Sequence, residues 1–106
     1  MPLRFEDRQN LFTAWKIVET DGTVRYYVTP EKLLVYGGSP GVEGYVWSTP
    51  IGGRPPPFGI VIDSLTGVLH WSGSPLSPPG VYYFDLEVTD GSSTATRTFT
   101  IEVKEY

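Results

Sequence analysis

Two features of this chain have residue types and spacing that could do chemistry. Gly37-Gly38-Ser39-Pro40-Gly41 carries the letters of a Gly-x-Ser-x-Gly nucleophile elbow, in which a serine on a strand-to-helix turn attacks a carbonyl. The oxyanion hole of such a site uses the backbone N–H of the residue after the serine. Here that residue is Pro40, which has no N–H. No helical periodicity follows, so the segment reads as a plain loop. His70 is the only histidine, and any triad would depend on it. It alternates with Leu69 and Trp71, which places it on the outer face of a strand, and no nucleophile and orienting acid pair with it. The chain is expected not to be an enzyme.

Aromatic side chains are the other candidates, since they make up 14% of the residues and exposed rings can hold sugars or proteins. Alternation puts Trp15, Trp47 and Trp71 on apolar faces, where core packing is the expected role. Tyr27 and Tyr83 point outward and are surface candidates. Pro75-Leu76-Ser77-Pro78 fits a Pro-x-x-Pro ligand pattern, but a short loop stiffened by proline accounts for it.

The elements that must position these residues are strands. Short runs of alternating apolar and polar residues, punctuated by Gly, Pro and Asp, predict eight of them, over 11–18, 24–28, 32–36, 44–48, 58–62, 68–72, 81–89 and 94–103. Residues 11–28 read as a hairpin closed by Asp21-Gly22, a pair suited to a tight two-residue turn. That turn sets Trp15 opposite Val28 and Ile17 opposite Tyr26. The strand 81–89 sends Tyr82, Phe84, Leu86 and Val88 inward and Tyr83, Asp85 and Glu87 outward. Its successor buries Phe99, Ile101 and Val103. The turn Asp63-Ser64-Leu65-Thr66-Gly67 calls for a positive φ at Gly67, and Tyr82 is placed for a tyrosine-corner hydrogen bond. The expected fold is all-β, an antiparallel two-sheet sandwich of about seven to eight strands.

Composition limits the partners. A chain of 106 residues has room for one domain, 1–106, with a core that needs no metal or disulfide staple. There is no cysteine, so the redox compartment cannot be read from it. The net charge is −4 and the eight basic residues are scattered, which argues against nucleic acid and against anionic membranes. No apolar run is long enough to span a bilayer, and the first residues do not form a signal peptide. Residues 1–10 are expected to be flexible, and a monomer is expected.

Residues 32–103 carry a further pattern. Gly37-Gly38 precedes an aromatic strand, Tyr45-Val46-Trp47-Ser48, and Pro57-Phe58-Gly59-Ile60-Val61-Ile62-Asp63 follows it. Next come Thr66-Gly67-Val68-Leu69-His70-Trp71 and Gly80-Val81-Tyr82-Tyr83-Phe84-Asp85-Leu86-Glu87-Val88-Thr89-Asp90. In order and spacing these resemble the bacterial "putative Ig" domains and the related dystroglycan-type cadherin-like domains. The departures are the loop 73–79, which is slightly long, and the extra N-terminal strand. The resemblance implies an immunoglobulin-like, non-catalytic module: a spacer or adhesion domain of a larger exported or surface chain. A carbohydrate-binding accessory module is the alternative. The resemblance also implies extracellular or cell-surface placement, with neighbouring domains of the same chain and weakly held protein or glycan as partners.

Cadherin-like relatives raise the question of calcium. Glu43, Asp63 and Asp90 lie in or near loops and could supply oxygens. Calcium takes about six to eight of them, and neither an Asp-x-Asn-Asp-Asn linker nor an EF-hand loop is present. Turn chemistry accounts for Asp63 and Asp90, so no cofactor is expected. If the module binds a partner directly, the expected contact is the outer face of the last two strands: Tyr83, Asp85 and Glu87 beside Thr96, Thr98 and Thr100.

Overall fold

The last strand organises the molecule, because it alternates the buried Phe99, Ile101 and Val103 with the more open Thr98, Thr100 and Glu102. The computed structural model describes residues 3–6, 9, 11–38 and 44–106. Ser39, Pro40 and Gly41 of the elbow-like loop, and Glu43, lie outside the described residues. Among those described there are ten strands and no helix: β1 (Arg4–Phe5), β2 (Leu11–Val18), β3 (Val24–Val28), β4 (Glu31–Lys32), β5 (Val35–Tyr36), β6 (Val46–Ser48), β7 (Ile60–Ile62), β8 (Val68–Trp71), β9 (Gly80–Thr89) and β10 (Thr94–Glu105).

β10 pairs antiparallel with β9 from Thr94↔Thr89 to Val103↔Gly80, and parallel with β2 from Thr100↔Leu11 to Glu105↔Lys16. With β3 and β6 at the edges, the sheet order is β3-β2-β10-β9-β6. A three-stranded sheet, β4-β8-β7, and the pair β1-β5 complete the fold. Side chains from all three sheets share one core, which includes Phe84, Phe99 and Ile101 from the large sheet, Leu69 and Ile60 from the second, and Phe5 from the third. Phe99 is its hub. Its ring meets Phe5 edge-on at 5.2 Å, stacks on Phe84 at 5.7 Å and lies 5.9 Å from Phe12. Such ring pairs add about 0.5–1.5 kcal/mol each beyond the area they bury.

Besides the parallel β2–β10 pair in a sheet expected to be antiparallel throughout, the chain differs from its sequence-based expectation at three places. The strand expected over 32–36 is divided: β4 pairs with β8, while β5 leaves that sheet to pair with β1. Leu33 and Leu34 make the crossing, their N–H groups donating to the Gly67 carbonyl and the Gln9 side-chain oxygen. Strand count and sheet count both rise as a result. Within residues 1–10, expected to be flexible, Arg4 and Phe5 form β1, and Leu3 and Phe5 are buried because the pairing with β5 turns them into the core.

The third difference is the register of the hairpin. Gly22 N–H donates to the Glu19 carbonyl at 3.0 Å, Glu19 N–H to the Thr23 carbonyl at 2.8 Å, and Gly22 has φ of 89°. This is a three-residue loop, a turn over Thr20 and Asp21 followed by a left-handed glycine. The odd residue shifts the pairing by one, so Trp15 faces Tyr27 and Ile17 faces Arg25. A one-residue slip sends a whole set of side chains to the other face. Phe12, Ala14 and Val28 therefore point into the core, and Trp15 and Ile17 point out.

The turn at Gly67 and the tyrosine corner form as the residues require. Gly67 has φ of 72°, and a Cβ there would come within 2.6 Å of the Trp47 ring. The Tyr82 hydroxyl donates to the Pro78 carbonyl. Gly67→Ala combines backbone strain with a clash against a packed indole, so it should destabilise the domain by about 1–3 kcal/mol. Urea unfolding of the variant checks this. A loss of only a few tenths of a kcal/mol would remove the close packing of Trp47 on this turn.

Candidate interaction face

The outer face of the five-stranded sheet holds every residue expected to meet a partner. Register places Thr96 beside Glu87, Thr98 beside Asp85 and Thr100 beside Tyr83. Tyr83 is 54% exposed, Thr96 and Thr98 are exposed, and Asp85, Glu87 and Thr100 are half-buried. The structure brings all six together on one surface.

One of them is held from within. After β6 the chain loops away and returns at Arg54, which lies along β9. Arg54 N–H donates to Asp85 Oδ2 at 2.8 Å, and the Asp85 N–H donates back to the Arg54 carbonyl at 2.9 Å. The Thr98 hydroxyl donates to Asp85 Oδ1 at 2.6 Å, and the Arg54 guanidinium reaches the same oxygen at 3.3 Å. The guanidinium also lies 5.7 Å from the centre of the Tyr83 ring, within cation–π range. Asp85 is thus a tie for the residue 54 segment, and Tyr83 with Thr96 and Thr98 forms the open part of the face. The residues gave no hint of Arg54, since its partner is 31 positions away.

A second aromatic surface lies on the same face, at the hairpin. Trp15, Ile17, Tyr27 and Tyr106 line a shallow groove of about 310 Å³. Trp15 meets Tyr106 edge-on at 6.4 Å, with Lys104 Nζ 5.4 Å from the Trp15 ring. The backbone of Tyr106 extends the parallel pairing, its N–H donating to the Lys16 carbonyl and its carbonyl accepting from Val18. Tyr27 was expected outside and is 56% exposed. Trp15 was expected inside and corrects to the surface, through the hairpin register. The other tryptophans divide. Trp47 is 5% exposed. Trp71 is partly exposed, packs 6.2 Å from Tyr26, and donates its indole N–H to the Ser74 carbonyl.

Of the candidate calcium acids, Asp63 and Asp90 serve turns. Asp63 Oδ1 accepts from the N–H groups of Leu65 and Thr66 at 2.9 Å, which hold its carboxyl below the usual range, Thr66 contributing most. Asp90 Oδ1 accepts from Ser92 and Ser93 in the same way. Among the described residues no group of three or more His, Asp or Glu side chains could hold a metal ion. His70 is half-buried, with Nδ1 3.1 Å from the Trp71 carbonyl.

A family model described as "Putative Ig domain" matches residues 16–104 of the chain. No curated protein matches it.

Two outcomes are expected here. Calcium or chelator at millimolar concentration should leave Tm unchanged, whereas an ion at a hundred times its Kd would add about 2.7 kcal/mol of stability. A Tm rise of several degrees would restore a calcium site at the loops. The Asp85 carboxyl is lowered to about 2, chiefly by the Thr98 hydroxyl and then by Arg54. An unfolded aspartate titrates near about 3.9, so this tie stabilises the fold fully above that pH and is lost as pH falls toward the folded value. Asp85→Asn should lower Tm at neutral pH, and the two proteins should converge in acid. Parallel Tm curves across that window would remove the tie.

Proposed function

Because the chain belongs to the "Putative Ig domain" family, we propose that it is a non-catalytic immunoglobulin-like module that spaces or presents its neighbours in a larger exported or surface chain. In this reading the two larger sheets are the layers of a sandwich, as in the cadherin-like domains that the Gly80–Asp90 strand pattern resembles. The observation that carries it is the outer face of the five-stranded sheet. It is broad and open, and it offers Tyr83 among short hydroxyls where an active site would need convergent acids and bases. Flat faces of this kind suit weak protein or glycan contacts better than a deep-pocket ligand.

The hairpin groove favours a second reading, a carbohydrate-binding accessory module. Trp15, Tyr27 and Tyr106 form a ring-lined surface, and aromatic faces stack on the apolar C–H faces of sugars. Titration with cellohexaose and chitohexaose, followed by Trp fluorescence and amide NMR shifts, separates the two readings. For a spacer, neither sugar produces a saturable change. Saturation that Trp15→Ala abolishes would establish the second reading in place of the first. For a protein partner identified on the parent chain, Tyr83→Ala should weaken binding while changing stability by less than about 1 kcal/mol. Binding indifferent to Tyr83 would remove this face.

A further inference from the structure

β3 ends the large sheet, and the direction of its backbone groups follows from two independent sets of hydrogen bonds. Glu19 N–H donates to the Thr23 carbonyl, which makes 19 and 23 a bonded pair. On the other side of β2, Lys16 and Val18 bond to Tyr106, so it is the intervening residues of β2 that face β3. Bonded pairs alternate in an antiparallel ladder, so Ile17↔Arg25 and Trp15↔Tyr27 exchange the ladder bonds. Val24, Tyr26 and Val28 then turn their N–H and C=O groups away from the sheet. No backbone bond from another strand or loop among the described residues reaches them. The hairpin also outruns the core. Past Ala14 and Val103 the inward face carries Lys16 paired with Glu105, and then Val18 and Val24, 43% and 40% exposed.

An open edge of this kind is a template for another strand, and its side chains specify which one. We propose that the β3 edge pairs antiparallel, about a two-fold axis at Tyr26, with the β3 edge of a second copy of this chain. In that register Val24 meets Val28 and Tyr26 meets Tyr26 of the other copy, so each outward-turned residue of one edge finds its counterpart. On the outer face Arg25 of each copy lies opposite Tyr27 of the other. The ion pair with Glu19, at 2.5 Å, engages one nitrogen of Arg25, and its flat face can rest on a tyrosine ring. The row across the joint then reads Lys104, Trp15, Tyr27, Arg25 of the second copy, with cations outside and rings inside. Its first contact, Lys104 on Trp15, is present within the chain. The register centred on Arg25 would instead set like charges against each other, which is unfavourable. Pairing two five-residue edges covers less than the roughly 1,200 Å² of stable complexes. The chain is therefore a monomer when dilute and pairs as its concentration rises.

Sedimentation velocity on the full chain, from micromolar to millimolar concentration, tests this. The expected result is a weight-average mass that climbs from 11.8 kDa toward twice that value. Val24→Pro removes only an outward N–H, which an edge strand tolerates, and should raise the dimer Kd at least about tenfold while Tm stays within a few degrees. Tyr27→Lys places a cation against Arg25 and should weaken pairing similarly, whereas Tyr27→Glu should preserve it. A monomer at every concentration would overturn the proposal. So would a dimer indifferent to Val24→Pro, or one that responds equally to Lys and Glu at position 27.

Discussion

The packing of Phe99 is the interaction on which the rest of this fold depends. Its ring touches side chains from β1, β2 and β9 at once, so one residue of the central strand ties the N-terminal segment, the hairpin and the C-terminal pair together. Alternation along β10 then dictates both surfaces of the sheet. Inward positions fill with Phe99, Ile101 and Val103, and the intervening threonines are left on the outer face. The candidate interaction face is the reverse side of the core.

Legibility followed the same physics. β9 and β10 could be read in register because each has one apolar and one polar set, with no competing choice. The six residues proposed for the outer face accordingly lie together. β2 was ambiguous, since Phe12 and Ala14 form one apolar set and Trp15 and Ile17 another. Only the length of the turn chooses between them. Asp21-Gly22 suits a two-residue turn, but Gly22 instead closes a three-residue one, and that single residue moved Trp15 to the surface. The Arg54–Asp85 tie and the crossing at Leu33 and Leu34 were illegible for another reason. Both depend on partners distant in sequence, and β1 is too short to announce itself by periodicity.

The family match takes in most of the N-terminal hairpin, including all of β3. The family match begins at residue 16, inside β2, and the groove at Trp15 and Tyr27 lies across that boundary. The groove is built largely from the hairpin and from the end of β10. Tyr83, by contrast, sits within the shared strand pattern. The two aromatic sites therefore differ in how far the family match covers them: Tyr83 lies well inside it, whereas Trp15 and Tyr106 of the groove lie just beyond its two ends.

The parallel pairing of β2 with β10 has a mechanical consequence. Leu11 begins one strand and Tyr106 follows the other, at opposite ends of the shared ladder. Tension passed along the chain through these two points pulls the strands past each other and does not peel them apart. Every hydrogen bond of the ladder is then loaded together, and the resistance is governed by the unfolding barrier more than by equilibrium stability. A module strung between neighbours would meet tension with a seam loaded in shear.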